Sequence, residues 1–147
     1  MTGPRTCSRD FPGTIEAASD AETWLASQAT ALGLGQEAEF AIGLCLEEAF
    51  LNAVKHGRAS RTTICMCAAP NGVIVEFADD GAPFDPTLAP AKRISGPTED
   101  FDVGGYGAGL MQRFSRRMSY SRFEGMNHLV LEFDAGRNAD PDSSNAP

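Results

Sequence analysis

Apolar positions recur along this chain at two different periods, and the change of period divides it. From residue 19 to 56 they return at helical spacing, as on a helix with one buried face. Ser19 and Glu22 have the form of a capping box. A first helix is therefore predicted from Ser19 to about Leu32, burying Trp24, Leu25, Ala29 and Leu32 and ended by Gly33 and Gly35. A second runs from about Gln36 to His56, with Gly57 as its C-terminal cap. The period then changes. RTTICMCAA (61–69) and VIVEFA (73–78) are β-branched and apolar, and Pro70-Asn71-Gly72 between them reads as a hairpin turn. Residues 80–106 are loop-like, a length that marks lids and binding loops. A short helix follows from about Gly107 to Arg117, burying Leu110, Met111 and Phe114. SYSRFE (119–124) and HLVLEF (128–133) form a second hairpin through Gly125, and residues 7–11 read as a short edge strand stopped by Pro12-Gly13. Two hairpins with segregated helices predict a two-layer α+β sandwich.

The second helix carries one feature that its apolar face does not explain. Glu48, Asn52 and His56 are four residues apart, which puts them on one side of a helix. Such a stripe needs solvent or a ligand, because a buried polar group without a partner costs roughly 2–7 kcal/mol. Glu47 points about 100° away. His56 either closes the helix or belongs to a site.

Two further stretches raise the same choice. ADDGAPFDP (78–86) leaves a strand with Asp79, Asp80, Gly81 and Asp85. It is either an ordinary Asp-Asp-Gly turn or a place where a carboxylate accepts a hydrogen bond from an exocyclic amine while Gly81 lets the backbone approach a ring. DVGGYGAGLM (102–111) crowds Gly104, Gly105, Gly107 and Gly109 before a helix. Exposed amides at a helix N-terminus suit phosphate, and a hinge is the alternative. No Gly-Lys-Ser/Thr follows, so it is not a Walker A loop.

Composition narrows the classes. The chain has 147 residues, 42% hydrophobic and 22% charged, the profile of one globular domain. The domain is expected at 7–134, with disordered tails at 1–6 and 135–147. No apolar run approaches the ~20 residues that span a bilayer, and the start lacks a secretory pattern, so a cytoplasmic location without membrane contact is expected. The net charge is −8, and Ser115-Arg116-Arg117 is the densest basic cluster, too small to grip nucleic acid. Cys7, Cys45, Cys65 and Cys67 lack zinc-site spacing and read as buried free thiols.

Taken in order, the motifs resemble the GHKL ATPase superfamily, and more narrowly the bacterial anti-sigma-factor serine kinases of partner-switching systems. The resemblance covers about residues 9–133. The family's Glu-x-x-x-Asn-Ala-x-x-His is matched by Glu48, Asn52, Ala53 and His56. Its Asp-x-Gly-x-x-Phe-Asp-Pro is matched by Asp79, Gly81, Phe84, Asp85 and Pro86, its second glycine box by Gly105 and Gly107, and its closing Gly-x-Asn by Gly125 and Asn127.

This resemblance implies a Bergerat-type sandwich, with a mixed, mainly antiparallel sheet and helices on one face, and ATP and Mg²⁺ as cofactors. It implies Asn52 as Mg²⁺ ligand, Glu48 as general base, Asp79 and Gly81 at the adenine, and Gly105 and Gly107 at the phosphates. It implies a serine kinase acting on a STAS-domain anti-anti-sigma protein, sequestration of a sigma factor or other regulator, and a homodimer. The alternative is a nucleotide-binding sequestering module without phosphotransfer. The catalytic piece of a sensor histidine kinase fits less well, since such kinases need a His-bearing dimerisation helix upstream. Two departures stand out. Arg116 and Arg117 occupy a helix where family members often carry acids, which points to a partner-facing region. Asp102-Val103 stands where some members place a basic γ-phosphate contact, leaving Lys92 or Arg93 as substitutes.

Overall fold

The computed structural model describes residues 6–88 and 103–136. Five strands form one sheet: β1 (Thr6–Pro12), β2 (Arg61–Ala69), β3 (Gly72–Asp79), β4 (Arg117–Phe123) and β5 (Met126–Asp134). Their spatial order is β1-β2-β3-β5-β4, and every pairing is antiparallel. Helices α1 (Ile15–Ala31), α2 (Gln36–Leu51) and α3 (Val103–Phe114) complete the described elements, with a π-helical turn, Asn52–His56, continuing α2. This is the predicted two-layer α+β sandwich.

The core lies between the layers and follows the strand alternation. Ile64 and Met66 of β2, Val73, Val75 and Phe77 of β3, and Leu129, Leu131 and Phe133 of β5 point to one face. Leu25 and Ala29 of α1 and Ile42, Cys45, Leu46, Ala49 and Phe50 of α2 cover them. The Phe50 and Phe77 rings meet edge to face, 5.6 Å between centroids. Cys45 is fully buried, and burial, then nearby Glu48, pushes its thiol up to about 12. It is an inert core residue, as its helical position predicts. All four cysteines are free thiols, but only Cys45 is buried as expected; Cys7, Cys65 and Cys67 lie on strands that leave them partly exposed.

Several boundaries differ from the sequence expectation. The first helix begins at Ile15, not Ser19. Thr14 is its cap, accepting the Ala17 N–H at 3.2 Å. Pro12-Gly13 turns the chain straight into residues that favour helix, so the Ser19–Glu22 pattern falls inside α1, where the Ser19 carbonyl accepts from the Thr23 hydroxyl. Gly33 does end α1, at φ +74°, with the Leu34 N–H returning to the Ala29 carbonyl. Gly35 instead caps the start of α2. The first hairpin turns on Pro70-Asn71 alone. Gly72 is already in β3, where a Cβ would lie 2.0 Å from the Phe133 carbonyl oxygen. The second hairpin turns on Glu124 and Gly125, both at positive φ (54° and 75°), the geometry that matches strand twist.

Arg116 and Arg117 are not helical. α3 stops at Phe114 because the Arg116 N–H is taken by the Glu132 carbonyl, 2.7 Å away, at the start of the β4–β5 pairing. The two side chains form exposed ion pairs with Asp134 (3.4 Å) and Glu132 (3.7 Å), which add little stability. Of the expected tails, only Thr6, Ala135 and Gly136 are among the described residues. Thr6 opens β1, and Ala135 packs on the core. No described helix is long and apolar enough to cross a membrane.

Candidate functional site

The π-helical turn at the end of α2 sets the site. Here the Gly57 N–H reaches back five residues to the Asn52 carbonyl at 3.0 Å. Single π turns inside α-helices are frequent at functional sites. The wider turn changes which residues share a face. Glu48 and Asn52 remain one turn apart, but His56 is carried outward, where it is exposed and lies over the Phe84 ring at 6.4 Å and 20°. The predicted three-residue stripe is thus a two-residue one. Gly57 is not a left-handed cap: its φ is −90°, and Arg58 takes the left-handed position at 54°.

Gly57 instead provides close approach. A Cβ there would lie 2.9 Å from the Ala53 carbonyl oxygen, and a Cβ at Gly81 would lie 2.9 Å from the Gly57 carbonyl oxygen. That oxygen accepts the Ala82 N–H at 2.9 Å. Helix end and loop therefore meet backbone to backbone, which only paired glycines permit.

The two adjacent carboxylates at the end of β3 have different jobs. Asp80 accepts the Ser60 and Arg61 N–H groups at 2.7 and 3.0 Å and the Ser60 hydroxyl. The Ser60 hydroxyl, with these backbone donors, outweighs desolvation and holds its carboxyl below the usual range. It is a turn residue. Asp79 is 6% exposed. Its Oδ1 accepts the Gly81 N–H at 2.8 Å and Asn127 Nδ2 at 3.0 Å.

Asp79 and Asn52 line one cavity, together with Gly57, Phe84, Met111 and Asn127. Its lining is mostly apolar with a few convergent polar groups, the make-up of a small-molecule site. Across it, Asn52 is 5% exposed, and its Nδ2 has no hydrogen-bond partner among the described residues; the same holds for Glu48 Oε2. Burial, then the like charge of Glu47, raises the Glu48 carboxyl above its ordinary value, partly opposed by Lys55.

The second glycine stretch is placed differently from the prediction. α3 begins at Val103, so Gly104, Gly105, Gly107 and Gly109 lie within the helix rather than before it. The first four N–H groups of a helix lack an internal acceptor. That set includes Gly105 but not Gly107. Lys92, Arg93 and Asp102 lie outside the described residues.

Over residues 11–133 the sequence matches the histidine kinase-like ATPase domain. The chain belongs to that family. The fold is accordingly of the Bergerat ATPase type, and an ATP-binding role comes with it. The chain is also 31% identical over 131 residues to the serine/threonine-protein kinase BtrW of Bordetella bronchiseptica, covering 86% of this chain and 92% of that protein.

Sequence reasoning gave Asn127 no role and overlooked Tyr120 and Arg122. Asn127 Oδ1 accepts from the Tyr120 hydroxyl (2.5 Å) and Arg122 Nη1 (3.1 Å). The signal was present in the register. A two-residue turn at Glu124-Gly125 sets Arg122 opposite Asn127, and strand alternation puts Tyr120 on the same face.

Proposed function

We propose that this chain is an ATP-dependent serine protein kinase that phosphorylates a STAS-domain antagonist and, in another state, sequesters a sigma factor or a comparable regulator. The observation that carries the reading is the pair of buried atoms on one helix side, Glu48 Oε2 and Asn52 Nδ2, without a partner among the described residues, with Asp79 lining the same cavity as Asn52. The family supports ATP, and the name of the relative supports a serine or threonine acceptor.

Each residue has a task it can perform. Asp79 Oδ1 is occupied by Gly81 and Asn127, which leaves Oδ2 to accept from the exocyclic amine of adenine. Guanine would present a carbonyl oxygen there, and two acceptors repel. Gly105, in the first turn of α3, offers an amide to phosphate. Asn52 fits Mg²⁺. An amide can turn its oxygen to the position of an unpaired nitrogen, and hard cations take oxygen ligands while sharing phosphates and waters. The ion supplies charge neutralisation on the transferring phosphoryl group. Glu48, with its raised carboxyl, takes the proton from the attacking serine hydroxyl.

Calorimetric titration tests the metal assignment. Wild-type affinity for ATP is expected to rise at least tenfold on adding Mg²⁺, by an order-of-magnitude argument from charge neutralisation. Asn52→Ala is expected to lose most of that gain. An unchanged Mg²⁺ dependence in Asn52→Ala overturns the assignment. The protein is expected to form a homodimer, and a strictly monomeric sedimentation profile at micromolar concentration contradicts that. Sequestration without phosphotransfer is the second reading, favoured by Asp102-Val103 where some family members carry a basic residue. It predicts that target regulation survives loss of Glu48.

A further inference from the structure

Asn127 is a buried amide whose hydrogen-bonding capacity is used up by the protein. Its Nδ2 donates to Asp79 Oδ1 (3.0 Å) and the Ala82 carbonyl (2.9 Å), with the Gly81 carbonyl at 3.5 Å. Its Oδ1 accepts from Tyr120 (2.5 Å) and Arg122 (3.1 Å), with the Phe84 N–H at 3.4 Å. Two hydrogens and two lone pairs are all an amide has. Donors on one side and acceptors on the other also leave only one orientation of the group. Asn127 therefore has nothing left with which to read a ligand, although it lines the cavity. Its effect on a ligand must pass through Asp79 and the Gly81-Ala82 backbone.

Arg122 makes the link mechanical. Beyond Asn127, its Nη1 donates to the Gly81 carbonyl at 2.8 Å and its Nη2 to the Gly125 carbonyl at 3.2 Å. One guanidinium thus ties the β4–β5 turn to the loop after β3. A guanidinium holds its donors in a rigid planar fork, an arrangement that a compact tetrahedral ammonium does not reproduce.

We propose that Tyr120 and Arg122 are positioning residues of the base-reading site. They act through Asn127 to fix the Asp79 carboxylate, so that purine selectivity is set by the β4–β5 hairpin. This rests on Asp79 as the group that reads the adenine amine.

The test compares two nucleotides on the full chain. ATP and purine riboside triphosphate differ only by the 6-amino group. Affinities of each are measured by calorimetry for the wild type, Tyr120→Phe, Arg122→Ala and Arg122→Lys. The wild type is expected to prefer ATP by at least about tenfold, the scale of one hydrogen bond to a charged acceptor. Tyr120→Phe and Arg122→Ala are expected to cut that preference to about threefold or less, with affinity for the purine analogue nearly unchanged. Arg122→Lys is expected to restore it only in part. Tyr120→Phe keeps the ring volume, so it remains informative if Arg122→Ala fails to fold. Equal weakening of both nucleotides in the variants would mark a merely structural role and overturn the proposal. So would a full ATP preference in both variants. A wild type that binds ATP without preferring it to the analogue would instead remove the assignment of Asp79, and the proposal with it.

Discussion

Glu48→Gln is expected to lower phosphotransfer to the protein substrate by at least about 100-fold, the scale of general base catalysis, with ATP affinity changed little. Gln keeps the shape of Glu but cannot take a proton. The surroundings of Glu48 suit that task. Its Oε2 is buried without a partner among the described residues, and burial, then Glu47, raises its carboxyl. A base tuned upward has more affinity for the proton of a serine hydroxyl. The same environment carries a cost to folding. Because the native state binds this proton more tightly than the unfolded chain, the stability linked to Glu48 is complete below the ordinary value of 4.5 and is lost as pH rises through the native value. At pH 7 the ionised carboxylate is a burden. Glu48→Gln is therefore expected to be at least as stable as the wild type in urea at pH 7, with the difference shrinking toward pH 4. Inactivity with retained or increased stability separates a catalytic role from a structural one. The acid limb of the wild-type pH–rate profile is expected above the usual glutamate range.

Asp79→Asn is expected to weaken ATP binding by about 100-fold and to change the preferred base, since a site with a mismatched buried polar group rejects its ligand strongly. The reason lies in the existing bonds. The new amide would keep its oxygen for the Gly81 N–H and Asn127 Nδ2, which now hold Asp79 Oδ1. Its NH₂ would then face the adenine amine, donor against donor. A purine with a 6-carbonyl would find a partner there instead. Inosine triphosphate is expected to bind Asp79→Asn better than ATP does, the reverse of the wild type. Calorimetry with both nucleotides checks it. An unchanged ATP affinity would mean that the base is read elsewhere.

How far the sequence reached depended on the range of the interaction involved. Strand alternation and the second helix were legible because burial imposes its period residue by residue. That Asn52 and Asp79 belong together was legible because spacing and order carry the motif, and the structure puts both on one cavity, whose lining does not include Glu48. Other features were not legible. The start of α1 turned on Thr14 rather than Ser19, because the Pro12-Gly13 turn leads straight into the helix and leaves Ser19 inside it. His56 left the stripe because a π turn winds more widely than the spacing rule assumes. The clamp on Asp79 joins Gly81, Tyr120, Arg122 and Asn127, more than forty residues apart at its ends, so it emerges only from the pairing of β3 with β5 and β5 with β4.

The most direct measurement is phosphotransfer from labelled Mg-ATP to STAS-domain proteins encoded alongside this chain, with Glu48→Gln run in parallel and the label mapped by mass spectrometry. Label on a single serine of one such protein, absent with Glu48→Gln, is the predicted result. Wild-type protein that binds ATP by calorimetry yet labels none of them would contradict the kinase account and leave a nucleotide-gated sequestering factor in its place.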